Sequence, residues 1–559
     1  MKRKLLKATL FLIAVFLLAV GFSSLSFKRR ANDFPLPSYY KKGAFHLHSK
    51  FSDGRGTIAE IARAARLGRL DFVILTDHGR PNPPASAATG WSDGILLIGA
   101  SEFSLNEGHL AAAGYRVPGY IFPPEAQEAI TEVDRDKGVT FISHPFDRKI
   151  PWSGWQVRGF SGIEILSLYQ MAKRNLLHGI ALFPLQYIFN RDYALTSLLS
   201  SPHREMEIWD HFNREGKYFG IYALDSHAKL PLSKRMSFHF PSYGATFRIL
   251  NVYVRVEHEL DADADADAAA AAVIAAMRRG DFFNVIESLA PANGFENYYL
   301  QKDGQRVDMG GDAQSAGGNL IFKLPFHFAA DIVVKKDGVV FKTIRANTRP
   351  ELSIPVSEGG VYRAEVSLAS GRFKELPWIM TNPIFIAHPA LEQAAPENVS
   401  AIIPTEGENY FQVEKNGRSS AALHWDAQGE EPPVTGLAFS LLADGPGKPD
   451  FWVALAHRQK LAAAGYQGFV FEARASARMR FWLQFRTGSG SGEAAYQHSF
   501  LAEETWRRIV IPFSNFHCLY GQPAVPAPVD IDSFFFLIDG NNAYPGAQGE
   551  IFFRRVGLY

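Results

Sequence analysis

Two imidazoles stand two residues apart in Phe45-His46-Leu47-His48-Ser49-Lys50-Phe51-Ser52-Asp53-Gly54, and an Asp-Gly pair follows them. In an extended segment alternate side chains share a face, so His46 and His48 point one way while Phe45 and Leu47 face apolar packing. Such a pair is a chelating edge for a divalent ion. The same donor types punctuate the chain further on: Thr76-Asp77-His78-Gly79, Ala100-Ser101-Glu102, Gly108-His109, Ser143-His144-Pro145 and Asp225-Ser226-His227, the last repeating the i, i+2 spacing. Cys518 is the only cysteine, which excludes an intramolecular disulfide and a thiolate zinc cage. An ion must therefore sit on His, Asp and Glu.

The elements that would position these residues are legible as alternating patterns. Short apolar runs (Phe72-Val73-Ile74-Leu75, Ile95 to Gly99, Val139 to Ile142, Gly162 to Leu166, Tyr218 to Leu224) alternate with helical patterns, among them a capping box at Thr57-Ile58-Ala59-Glu60 and a helix over Pro123 to Lys137. This reads as parallel strands with crossover helices, an arrangement in which chemistry gathers at the carboxyl ends of the strands. At least four of these runs carry a His, Asp or Glu directly past that end, so the donors are expected on one rim.

The set His-Leu-His-Ser with Ser-Asp-Gly, Leu-Thr-Asp-His, Gly-Ala-Ser-Glu, Gly-His-Leu, Ser-His-Pro and Leu-Asp-Ser-His resembles the polymerase and histidinol phosphatase (PHP) family of metallohydrolases, over roughly Gly43 to Leu230. The resemblance implies a distorted (β/α)7 barrel holding two or three divalent ions. It assigns His46, His48, Glu102 and Asp225 to one ion, Glu102 as bridge with His109 and His144 to a second, and Asp53, His78 and His227 to a third. The mixed N/O donor set suits Mn, Fe or Zn and leaves the identity of the ion open. The implied reaction is hydrolysis of a phosphomonoester or phosphodiester by a metal-bridging hydroxide. No side-chain nucleophile is called for, and Gly-x-Ser-x-Gly, a phosphate-binding Gly-rich loop and His-Glu-x-x-His are all absent from this region. Two further residues are candidates for a catalytic part: Asp77 as an orienting group or proton shuttle, with a turn cap as its alternative, and Arg148 as a phosphate clamp, with a surface ion pair as its alternative.

Around this region the chain of 559 residues is long enough for several cores. Residues 1–30 form a basic, then apolar, then basic segment that reads as a membrane anchor or signal, which would place an exported catalytic domain on the periplasmic or extracytoplasmic side. Residues 43–285 read as the PHP-like domain, ending in an Ala-rich helix after the acidic run Asp261 to Asp267. Residues 286–390 alternate as a β-sandwich. After a Pro- and Glu-containing linker, residues 408–559 resemble galactose-binding-like jelly rolls, including carbohydrate-binding modules, through the W-x5-P-F-x-x-F stretch from Trp506 to Phe516. Trp452 and Trp482 are the aromatics there that could stack on sugar, core packing being the alternative. The fold class is thus multidomain, α/β followed by two all-β domains.

A formal net charge of +1 gives no standing reason for nucleic acid as a partner other than as substrate. Two other functions fit the same residues. A carboxyl-ester or carbamate hydrolase could use the same ions, and a non-catalytic envelope glycan-binding protein could keep the barrel as a scaffold.

Overall fold

The computed structural model describes residues 2–179, 182–231, 237–238, 240–257, 260, 265–387, 401–402, 410–416, 418–426, 434–442, 451–488, 493–520 and 530–559. The chain divides into two compact units, one of residues Met1–Arg116 with Ala126–Glu392 and one of Val117–Glu125 with Gln393–Tyr559.

In the first unit, Tyr40–Phe45 pairs in parallel with Phe72–His78, and Phe72–His78 in parallel with Ile95–Leu105. Ile95–Leu105 turns back through an antiparallel hairpin onto Gly108–Ala113, which pairs with Val139–Ile142. Parallel pairing then resumes through Gly162–Ser167 to Phe219–Ala223. Past its carboxyl end the last of these strands reaches the first: Leu224 N donates to Phe45 O at 3.0 Å, and Leu47 and Ser226 form a parallel bridge. The (β/α) alternation expected from sequence is present as this mixed sheet. Its helices include Ile58–Leu67, which starts on the expected capping box, and Ala266–Arg279, which ends at Gly280. Of the acidic run, residues 261–264 lie outside the described residues, and Asp265 caps the helix.

Phe45, Phe72, Ile74, Leu96, Ile98, Phe141, Ile221, Val252 and Val254 form the interior, with Val273 and Met277 of the Ala-rich helix. Each such side chain contributes roughly 1.5–3 kcal/mol on burial. That frame outweighs the cost of left-handed backbone at His46 (φ 67), His144 (φ 31) and Asp225 (φ 49), about 1–3 kcal/mol each. Strain is therefore tolerated at three strand ends that carry donor side chains.

The 286–390 segment is all-β as expected among its described residues, and its strands pair with those of the preceding region. Ile379–Thr381 pairs with Phe282–Ile286, so the strands Ala330–Lys336, Val339–Asn347, Gly360–Leu368 and Ile384–Ile386 continue the same 16-stranded sheet, and a further four-stranded sheet runs through Glu296–Leu300, Arg306–Asp308, Asn319–Lys323 and Glu351–Pro355. Val361 and Phe385 share the interior of the preceding strands. Buried Arg363 holds Asp210 through two bonds of 2.6 and 2.7 Å and lies over Trp209. The expected linker falls largely on residues outside those described.

In the second unit two six-stranded antiparallel sheets enclose a core rich in phenylalanine. Phe513 and Phe516 of the Trp506 motif are buried there, and Arg474 and Arg554 each lie over the Trp506 ring. The short stretch Val117–Glu125 belongs to this unit: Tyr120 bridges Ala543, and Ile121 N donates to Asn542 O. Trp482 is 2% exposed and donates to Asp539 through its indole N–H, so it is core and no sugar platform; Trp452 is half-buried against the same cluster.

Residues Lys2–Ser26 form one helix. Among the described residues no helix is long and apolar enough to cross a membrane; the side chains of residues 2–8, 10 and 12–14 lie outside them.

Candidate metal centre

The strand registers bring the donors together. Pairing in Phe72–His78 and Ile95–Leu105 sets His78 beside Glu102, and the following hairpin sets His109 opposite Ser104, two residues on. His46 and His48 follow Tyr40–Phe45, His144 follows Val139–Ile142, and Asp225 and His227 follow Phe219–Ala223. Asp53 arrives on a loop pressed against the first strand's extension: a Cβ on Gly54 would stand 2.0 Å from the His48 carbonyl oxygen, so only glycine allows this approach. Tyr243 ties the same loop down, donating to His48 O at 2.7 Å and accepting from Gly56 N at 3.0 Å.

Glu102 is the hub. It is 1% exposed, and its two oxygens face different histidines. Oε1 lies 3.1 Å from His109 Nδ1 and 2.9 Å from His144 Nε2, whereas Oε2 lies 3.4 Å from both His46 Nε2 and His48 Nε2 and 3.2 Å from His78 Nδ1. Asp225 Oδ1 approaches His46 Nε2 at 3.7 Å, His48 Nε2 at 3.5 Å and His227 Nδ1 at 3.4 Å. Asp53 Oδ1 approaches His227 Nε2 at 3.2 Å, His48 Nδ1 at 3.7 Å and His78 Nε2 at 3.9 Å. Donors about 2.1 Å from a shared ion in tetrahedral array stand roughly 3.4 Å apart, which is the spacing seen. Three sets have all their ligand atoms within 4.8 Å of one another: His46-His48-Glu102, His78-Glu102-His109 and His48-Asp53-His78-His227. All nine residues expected as ligands are thus in one place. The grouping differs from the expectation at His48 and His78, each of which faces two neighbouring sets, and at His144, which falls in none of the three and reaches the cluster through Glu102 at 2.9 Å; Asp225 joins the first set through its histidine contacts.

Opposite charges shift one another across the cluster. Burial disfavours the charged form of His46, but Glu164, Glu102 and Asp225 hold its pKa well above the ordinary value. Against burial, Glu102 drives His144 up to about 9, and the imidazoles of His46, His109 and His144 hold Glu102 well below the carboxylate range. Burial, helped by His227 and His46, pushes His48 down to about 4, whereas His227 brings Asp53 down to about 2 against its own burial. Three anionic carboxylates packed among imidazoles call for protons or cations to offset them.

Unsatisfied atoms favour cations. Nδ1 of His48, of His78 and of His144 are buried without a hydrogen-bond partner, a condition costing about 1–3 kcal/mol each that coordination at His48 or His78 removes. The donor set, imidazole with carboxylate and no thiolate, matches a borderline or hard divalent ion. The residues therefore fit the ions expected from sequence.

Asp77 is fully buried and accepts from Ser49 N and Ser49 Oγ, both at 2.8 Å, and from Ser52 Oγ at 2.6 Å. Its carboxylate shapes the loop between His48 and Asp53, which makes it a positioning residue. Arg148 is exposed past His144. Sequence reasoning missed Glu164. This buried residue accepts from His46 Nδ1, which fixes the imidazole with Nε2 toward the cluster, and its other oxygen accepts from His144 N at 2.8 Å. A carboxylate in the middle of the buried run Gly-Ile-Glu-Ile-Leu was the available signal.

No family model matches the chain, and no curated protein matches it. Solved structures do resemble it. One is a two-domain protein from Bacteroides vulgatus described as containing a predicted PHP-like metal-dependent phosphoesterase, at 15% identity and TM-score 0.30 over 64% of this chain and 99% of that one. Another is the family 11 carbohydrate-binding module of the cellulosomal cellulase Lic26A-Cel5E of Clostridium thermocellum, at 16% identity and TM-score 0.23 over 29% of this chain and 95% of that one. A family 30 carbohydrate-binding module from the same organism's cellulosomal cellulase shares 10% identity, at TM-score 0.22 over 29% of this chain and 92% of that one. Likeness at these scores carries no inference of function, for which the side chains must speak.

Proposed function

We propose that the chain is a metal-dependent phosphoesterase in which the sheet of residues 43–285 acts as a distorted (β/α)7 barrel. The observation that carries this reading is the division of labour within Glu102, one oxygen toward His109 and His144 and the other toward His46, His48 and His78. A buried carboxylate so flanked is built to bridge two cations. His46, Glu102 and Asp225 would hold one divalent ion, Glu102, His109 and His144 a second, and Asp53, His78 and His227 a third, the single lone pair of neutral His48 serving the first or the third, each ion Mn, Fe or Zn. Such ions supply acidification of water toward neutral pH and neutralise phosphoryl charge.

The protein's own groups do the rest. Glu164 keeps the His46 proton on Nδ1, so that Nε2 presents its lone pair inward. Asp77 holds the Ser49–Ser52 loop and with it Asp53. Lys229, whose Nζ donates to Asp53 O at 3.0 Å, and Arg148 bring cationic side chains to bind phosphate oxygens. Residues 1–30 serve in this reading as a tether that places the enzyme on the extracytoplasmic face. It is supported by the apolar run Ala8–Phe27 and by exposed Phe11, Leu18 and Phe22 on the Lys2–Ser26 helix. A glycan partner of the C-terminal unit would use a surface other than Trp482.

Turnover of p-nitrophenyl phosphate, bis-p-nitrophenyl phosphate and p-nitrophenyl acetate by one metal-loaded preparation tests the reaction class. Ion-dependent cleavage of a phosphoester with negligible cleavage of the acetate is expected. The reverse order of rates would assign a carboxyl-ester hydrolase instead.

A further inference from the structure

Outside this cluster, one other set of donors among the described residues has its ligand atoms within 4.8 Å of one another: Glu125, His498 and His517. All three belong to the second unit, Glu125 closing the Val117–Glu125 stretch and the histidines standing on the neighbouring strands Ala494–Ala502 and His517–Tyr520. We propose that they form a separate metal site, for zinc(II) or a similar borderline transition ion, which fastens Val117–Glu125 to the rest of its unit.

The three donors differ in what already holds them. Glu125 is 5% exposed, and its two oxygens differ in occupation. Oε2 accepts from Ser499 Oγ at 2.6 Å, and Ser499 in turn accepts from the fully buried Arg480 at 2.8 Å. Oε1 is buried with no hydrogen-bond partner, and His517 Nε2 stands 3.6 Å from it. That separation is too long for a hydrogen bond and is ordinary for two ligands of one ion. His498 Nδ1 is 3.0 Å from the carbonyl oxygen of Asn515. A carbonyl only accepts, so Nδ1 carries a proton and only Nε2 can serve as the ligand atom, with a backbone carbonyl behind the ring as is usual for a ligating histidine. Two imidazoles and one carboxylate without thiolate make a three-donor site of zinc type, with water completing the shell. An uncompensated buried carboxylate oxygen is costly, and an ion at this point satisfies it.

The test uses the full chain, stripped with a chelator and titrated with Zn(II) alone and with Co(II) alone. Ions bound per chain are read by elemental analysis and cobalt coordination by visible absorption. His517 is partly exposed, so His517→Ala is compatible with folding. The variant is expected to bind one ion fewer than the parent, to weaken that ion by at least about a hundredfold, and to keep phosphoester turnover unchanged. Equal numbers of ions in parent and His517→Ala, with superimposable cobalt spectra, would reduce Glu125 and His517 to an ion pair and overturn the proposal. Glu125→Gln provides a second reading: if it folds and retains the parent's full complement, the site is refuted as well.

Discussion

At the scale of single residues, a few buried atoms decide the chemistry. Glu164 sits behind His46 and sets which of its nitrogens is available, and His46 is fully buried with no solvent to reorient it. Glu164→Gln should therefore weaken binding of one ion about 10–100-fold while leaving the others in place, as loss of a partner behind a ligating histidine does. Isothermal titration of the stripped variant checks this, and excess metal should restore turnover. A merely structural role would lower stability without a selective loss of one ion. The nine donors were legible in the sequence because each lies directly beyond an apolar run or in a short Gly, Ser or Pro turn. Glu164 was not, since its meaning depends on His46, 118 positions away.

At the scale of elements, registers do the positioning. The Phe72–His78 and Ile95–Leu105 pairing alone fixes His78 against Glu102, and a one-residue slip would turn either side chain to the opposite face. The connection from the Ala-rich helix into Phe282–Ile286 makes a prediction about pH. Burial drives the Asp281 carboxyl up to about 6, Asp308 adding to the rise against Arg255, and Asp281 Oδ1 is buried without a partner. An unfolded chain has this group near the ordinary value of about 3.9. The folded state thus binds the proton more tightly, and stability falls as pH rises from about 4 through 6, by on the order of 2–3 kcal/mol in all. Asp281→Asn removes this loss, Arg255 keeping its 3.1 Å pair with Asp308. Thermal midpoints should favour the variant at pH 8, with the gap closing toward pH 4. A gap independent of pH would contradict the assignment.

At the scale of the whole molecule, sequence patterns identify element types but not every pairing partner. The alternating runs after residue 286 identified strands, but periodicity cannot say which sheet a strand joins, and here Ile379–Thr381 joins the sheet that carries the donor cluster. For the same reason Pro123–Glu125 read as the start of a helix that in fact begins at Ala126, because the partner that claims Val117–Glu125, Ala543, is remote in sequence. The shared sheet predicts shared stability. Arg363→Met would leave Asp210 without its two-bond partner in a buried setting and should cost about 3 kcal/mol or more. Loss of phosphoester turnover and loss of β-sheet signal in denaturant should move together to lower concentration. A turnover midpoint that stays put would mean that residues 286–390 unfold independently of the centre.

The most direct measurement is of ions and turnover together. Protein stripped by a chelator should lose phosphoester hydrolysis and recover it with Mn, Fe or Zn as at least two ions per chain are taken up at the cluster, and Glu102→Gln should fail at both. Fewer than one ion bound per chain, or hydrolysis that survives complete stripping, would contradict a centre in which Glu102 bridges two cations.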